Sequence, residues 1–303
     1  MNKTRLALGF TIILSVVTFI TSVGINPTAA AVTTQENSAV YRQFQQYLKN
    51  PATLAQARKY LINHIDEVSV WNATVMTLHL ENAQKAQLAA FAEKIYSQDV
   101  QIAIEEAAKK KDLTYTGLLS VIKDPKIRAI LVESRDKGYK IRNSEGMSYP
   151  VMNYEGFKVL KPFITKDIAE YINIMARESS RPSMSDAAVV ISWEELISRA
   201  LAQEVFVKTY PNSNRTAVMK QEYGYSLSRV FYGSSNTPAY DSADGGKTGK
   251  LDPELRQAYE EALKNGTGSS SLLAAIEGLL KLLDTTGDVL TPDVEKYLEA
   301  HVV

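Results

Sequence analysis

Several stretches of this chain hold residue types at spacings that can do chemistry. One is Asp244-Gly-Gly-Lys-Thr-Gly-Lys250, which raises a nucleotide-phosphate loop. Such a loop needs Gly-x-x-x-x-Gly-Lys-Ser/Thr after a buried strand, so that backbone N–H groups converge on the phosphates. Here Asp241 stands five before Gly246, and in the second frame Asp244 stands five before Gly249 with Leu251 in place of Ser or Thr. The stretch therefore reads as a flexible basic loop, and no nucleotide is expected. A second stretch, Asp284 to Glu295, has Asp at its first and fifth places and Glu at its twelfth, as a calcium loop does. Calcium also wants Gly at the sixth place for the tight turn, and that place is Val289. A capped interhelical turn is expected instead. His64 and Glu67 lie one helical turn apart, but no second pair completes a metal site, and no Gly-x-Ser-x-Gly elbow supports a serine hydrolase. Cysteine is absent, which removes thiol nucleophiles, Cys metal sites and disulfides. No cofactor and no metal are expected.

The remaining candidate is Glu178, in Ile172-Asn-Ile-Met-Ala-Arg-Glu-Ser-Ser-Arg-Pro182. Ala176, Arg177, Glu178, Ser179 and Pro182 match a pattern similar to the catalytic-glutamate motif of lytic transglycosylases and lysozyme-like muramidases. The resemblance implies that Glu178 is a general acid, held protonated in an apolar pocket so that it can donate to a glycosidic oxygen. It is confined to this run, because the Gly-Leu-Met-Gln stretch that follows in that family is absent from Ser183 to Leu196. The other reading is a helix end whose carbonyls are satisfied by Arg181 and Ser180.

Sixteen tyrosines gather toward the middle of the chain. An aromatic ring with a polar tip can stack on a sugar or anchor a partner, so Tyr149, Tyr154, Tyr223, Tyr225 and Tyr232 are the expected binding residues. The competing reading places them half-buried at helix junctions.

The elements that must position these residues read as helical almost throughout. Apolar residues recur three and four apart from Ser38 to Gly138, and Asn50-Pro51 and Asp124-Pro125 are helix starts in which a side-chain oxygen caps and proline takes the first turn. Val68 to Lys111 contains neither Pro nor Gly and closes on three lysines suited to a negative helix end. Gly138 to Phe157 is rich in Tyr, Val and turn residues around Asn143-Ser-Glu-Gly146, which predicts a hairpin or extended excursion near residues 139–155. Helices resume at Thr165, at Ser192 with a capping box to Glu195, and around Asn214. Asp252-Pro253 and Thr291-Pro292 start two more, and with Thr165 they suggest one repeated cap chemistry.

Residues 1–31 stand apart. Lys3 and Arg5 precede an apolar run from Leu6 to Ile25, then Pro27 and Ala29-Ala-Ala31, the order of a secretory signal cleaved after Ala31. The alternative is retention as a membrane anchor through residues 6–25. Cleavage would remove two positive charges from a chain with 34 Lys and Arg against 34 Asp and Glu, leaving a slight negative excess with nothing to recruit nucleic acid.

The sequence thus predicts a mainly α, bundle-like globular protein: a helical region 32–138, a middle region 139–235 with the excursion, a loop 236–250 and a helical region 251–303. The expected function is a secreted, non-enzymatic binding or scaffolding protein of the cell envelope or extracellular space, partnered by cell-wall glycan or another envelope protein. The alternative is a peptidoglycan-cleaving enzyme using Glu178.

Overall fold

The computed structural model describes residues 39–241 and 249–302. The signal segment 1–31 and most of the Asp244–Lys250 stretch lie outside them. Local chemistry sets the helix starts. Asn50 caps a 3₁₀ turn, Pro51–Thr53, through Ala52 N, and Asp124 caps α6 (Pro125–Asp136) through the N–H groups of Lys126 and Ile127. Asp252 and Thr291 do the same for α10 (Pro253–Ala262) and α12 (Pro292–His301). Thr165 makes no side-chain cap. Instead its own N–H donates to Thr74 Oγ1 (2.9 Å), so tertiary docking replaces the expected cap. At Ser192 the capping box is half made: Ser192 Oγ accepts from Glu195 N, while the Glu195 carboxylate takes Arg181 and Arg199 instead.

The chain begins with α1 (Ala39–Leu48) and α2 (Leu54–His64), followed by the 27-residue α3 (Val70–Tyr96). The expected helical segment from Val68 to Lys111 divides at Ser97 into α3 and α4 (Gln98–Ala108). The break lets Gln101 reach the hairpin that follows α5 (Tyr115–Val121) and α6 (Pro125–Asp136). That hairpin pairs β1 (Tyr139–Ser144) with β2 (Met147–Met152), Tyr139 opposite Met152. Glu145 and Gly146 turn it with φ of 50° and 78°, both positive as a type I′ turn requires. Gln101 closes the open edge of β2, its Oε1 accepting from Ser148 N and its Nε2 donating to Ser148 O.

A 3₁₀ segment, Tyr154–Phe163, then leads into α7 (Lys166–Ser180). After a two-residue ladder between β3 (Met184–Ser185) and β4 (Ala188–Val189) come α8 (Trp193–Thr209) and α9 (Thr216–Tyr232). Two more such ladders follow, β5 (Gly233–Ser234) with β6 (Thr237–Pro238) and β7 (Tyr240–Asp241) with β8 (Lys250–Leu251). The chain continues through α10, α11 (Ser271–Thr286) and α12.

Buried side chains form two cores. Phe44, Leu61, Met76, Leu80, Phe91 and Tyr139 belong to the first, and Trp193, Leu196, Phe231, Leu255, Tyr259 and Leu279 to the second. Helices α8 and α9 run through both: Phe206 and Met219 face the first core, Ala200 and Val230 the second. No helix of the described residues is long and apolar enough to cross a membrane.

Candidate functional site

At the first core's edge, one stripe of α3 forms the wall of an open groove. Trp71, Thr74, Val75, Leu78, His79 and Asn82 follow the three-and-four spacing that puts side chains on one helix face. Opposite them stand Thr165, Asp167 and Ile168 at the start of α7, and Asn212, Ser213 and Asn214 in the loop between α8 and α9. The groove encloses about 470 Å³ and continues into a second depression of about 380 Å³ along Asp167, Asn212 and Tyr210. Each lobe falls in the size range of small-molecule sites.

The groove's polarity is set from beneath. Glu81, 2% exposed, sits on α3 with its carboxylate among donors. Oε2 accepts from Arg215 Nε (2.9 Å) and Nη2 (2.7 Å), and Oε1 accepts from the hydroxyls of Tyr154 and Tyr171, each at 2.6 Å. Lys85 Nζ lies 2.7 Å from Oε1. Burial by itself would raise the Glu81 pKa, but the charges of Lys85 and Arg215 and the hydrogen bonds to it outweigh burial and hold it below the carboxylate range. Burial first pushes the Tyr154 and Tyr171 phenols well above their usual value; Tyr171 and then the Glu81 charge add to this at Tyr154, and the Glu81 charge adds to it at Tyr171. They are fixed donors.

Arg215 spends two of its three remaining N–H groups on the groove, Nη2 on Asn82 Oδ1 (2.9 Å) and Nη1 on Asn214 Oδ1 (2.6 Å). A guanidinium has no acceptor, so each amide must turn its oxygen inward and its NH₂ away from Arg215. Neither NH₂ meets another described residue, and both asparagines are exposed. Asp167 supplies an acceptor, one of its oxygens taking the Ser213 hydroxyl at 2.5 Å. His79 accepts at Nδ1 from Gln45 Nε2 (2.8 Å), which leaves its proton on Nε2, and burial lowers its pKa in favour of that neutral ring. At the mouth, Trp71 is 60% exposed. The arrangement joins a flat apolar ring to two amide donors and a carboxylate acceptor, a set suited to a hydroxyl-bearing ligand.

None of the five expected tyrosines lines this groove. Tyr154 is buried on Glu81, where its hydroxyl satisfies a carboxylate. Tyr149 is half-buried on β2 opposite Arg142, and Tyr223 packs against the second core with its hydroxyl on Glu204. Tyr225 and Tyr232 are exposed on α9, Tyr225 under the Arg229 guanidinium. They are close in the chain, but packing sends them to two cores, a hairpin and the exposed face of α9.

Glu178 ends α7 in a knot of arginines. Its Oε2 accepts from Arg199 Nη1 (2.6 Å), and its Oε1 from Ser183 N (2.8 Å) and Ser183 Oγ (3.1 Å). The side chain is 40% exposed beside a shallow depression of about 160 Å³. A proton-donating carboxyl needs an apolar surround and an oxygen free to face substrate. Here both oxygens are taken as acceptors and the neighbours are charged. The helix end is satisfied by Arg142, which donates to the carbonyls of Glu178 and Ser179, and by Arg199, which donates to Arg181 O (2.7 Å). Arg181 and Ser180, the residues expected to do this, bond Glu195 and Glu155.

The lesser candidates are also accounted for. Asp284 and Asp288 pair with Arg256, so the calcium-like acids already have a cation. Gly287, in the left-handed conformation, ends α11 as the capped turn requires. His64 and Glu67 bond each other at 2.6 Å on the surface. Among the described residues no group of three His, Asp or Glu is placed to share a metal ion. Lys250 lies in a two-residue ladder with Asp241 rather than in a turn opening directly into a helix. No family model matches this chain, and no curated protein or solved structure is similar to it.

Proposed function

We propose that the protein is a non-enzymatic binding or scaffolding protein that works outside the cell or in its envelope, and that the groove at Trp71 receives a hydroxyl-rich ligand of the kind a cell-wall glycan presents. The observation that carries this reading is the exposed indole of Trp71 beside two asparagines whose NH₂ groups are turned from Arg215. A sugar ring offers both an apolar face for stacking and a rim of hydroxyls for amides and a carboxylate. The signal-like order of Lys3, Arg5, the apolar run and Ala31 supports the exterior location.

Tryptophan emission tests the reading, since the chain has two tryptophans and the other, Trp193, is 6% exposed. In a Trp193→Phe protein, soluble peptidoglycan fragments should shift the emission of Trp71 saturably. Co-sedimentation with insoluble cell wall should be lost in Trp71→Ala. Wall binding that survives Trp71→Ala, or emission indifferent to every glycan tried, would overturn the assignment.

A further inference from the structure

On the flank of α2, beside its buried face, Arg58, Lys59 and Asn63 line with Arg135 and Asp136 at the end of α6 a groove of about 520 Å³. The arrangement of Arg58 is unusual. Its guanidinium is half-buried, yet among the described residues it makes neither a hydrogen bond nor an ion pair. The one carboxylate whose charge reaches it, Asp136, is bonded to Arg135 Nε at 2.8 Å. Lys59 and Asn63 are exposed and likewise without a described partner. Burial lowers the pKa of Arg58 from its ordinary value, and the charge of Asp136 opposes this; an arginine keeps its proton regardless.

The backbone beside that side chain carries no Cβ at two positions. At Gly138, the positive-φ residue (87°) that ends α6, a Cβ would collide with Gln84 Nε2 and also come within 3.1 Å of Arg58 Cδ and Nε. At Gly156 a Cβ would come within 3.2 Å of Nη2. Two glycines thus leave the space the arginine occupies. A half-buried cation with no hydrogen-bonded counter-ion is stabilised when a ligand supplies one. Three cations against one carboxylate leave the groove net positive, and a planar fork beside a point charge is the pairing that phosphate oxygens accept.

We propose that this groove is a second binding site, taking the phosphate group of a phosphorylated ligand, with Arg58 gripping two oxygens and Lys59 a third. The site is independent of the Trp71 groove. Calorimetric titration of the full chain with pyrophosphate at low salt tests it, with citrate and a short polyphosphate as parallel arms. Pyrophosphate should bind saturably at one site, and polyphosphate should bind tighter if the natural source is a polymer, or equally if it is a small phosphate ester. Arg58→Gln should weaken binding by about tenfold or more and Lys59→Gln by about threefold, as loss of charge-assisted hydrogen bonds predicts. Trp71→Ala should leave it unchanged. Lys59 is exposed, so its variant reports even if Arg58→Gln folds poorly. Absence of saturable pyrophosphate binding, wild-type affinity in both variants, or citrate binding as tight as pyrophosphate would overturn the proposal.

Discussion

Glu81 and Arg215, 134 residues apart in the chain, meet inside the first core in a doubly hydrogen-bonded ion pair at 2.9 and 2.7 Å. The pair fastens α3 to the start of α9. Through Tyr154 and Tyr171 it also holds the 3₁₀ segment and α7. Arg215, Lys85, Tyr154 and Tyr171 all aim donors at Glu81, and the outer amides of the groove hang from the same guanidinium.

Removing one member should therefore cost far more than a surface pair would. Glu81→Gln should lower unfolding free energy by about 3–5 kcal/mol, because it leaves a buried guanidinium uncompensated. Tyr154→Phe should cost about 1–2 kcal/mol for one lost hydrogen bond. Urea unfolding of the three proteins measures both, and equal midpoints would refute the network's structural role.

The same carboxylate sets an acid limit. Its folded pKa lies below the ordinary 4.5, so the stability it contributes is complete above that value and drains away as pH falls through the lower folded one. Glu204 acts in the same sense: burial would raise its pKa, but Lys208, Ser270 and the backbone N–H groups of Ser271 and Leu272 lower it instead. Urea midpoints should be level from neutral pH down to that region and then fall. Glu81→Gln should flatten the fall.

Asn82→Asp separates ligand binding from folding. The aspartate keeps an acceptor for Arg215 but loses the NH₂ donors. Glycan affinity should drop by about tenfold, the size of one or two lost hydrogen bonds to ligand, with little change in Tm. Asn214→Asp should behave alike. Titration of both variants against the same fragments checks this.

Glu178→Gln should disturb the end of α7 rather than any catalysis. Loss of the Arg199 pair should cost about 1 kcal/mol, since Arg199 retains Glu195 and Glu178 is partly solvated. Neither the wild type nor the variant should clear a cell-wall suspension. Clearing by the wild type alone would restore the muramidase reading.

Glu145 occupies a positive-φ position where a long side chain is disfavoured. Glu145→Asn should stabilise the β1–β2 turn by about 0.5–1 kcal/mol, since asparagine tolerates that conformation. Thermal unfolding would show a higher Tm.

The elements were legible wherever local chemistry decides them. Asp124, Asp252 and Thr291 cap the helices their sequences announce, and Glu145-Gly146 turns the hairpin. Where tertiary contacts decide, the sequence misleads. Ser97 interrupts a stretch of good helix formers so that Gln101 can bond Ser148, and Thr165 looks like a cap but is tied to Thr74. The groove left only a faint trace. Its α3 stripe from Trp71 to Asn82 has the spacing of an ordinary core face, and its other wall, Asn212 to Asn214, is distant in the chain. Tyr154 reads in the sequence as an aromatic with a polar tip, and nothing local signals that Glu81 claims that tip.

The sharing of α8 and α9 between the cores also governs how the molecule comes apart. Each of these helices has 17 residues, a rod of about 25 Å. Stripping the C-terminal helices away would uncover Leu196, Ala200, Val230 and Phe231 on rods whose other ends brace the Trp71 groove. Neither half can melt and leave the other whole, so calorimetry should record a single endotherm, and a glycan seated near Asn214 should raise its temperature for both halves at once.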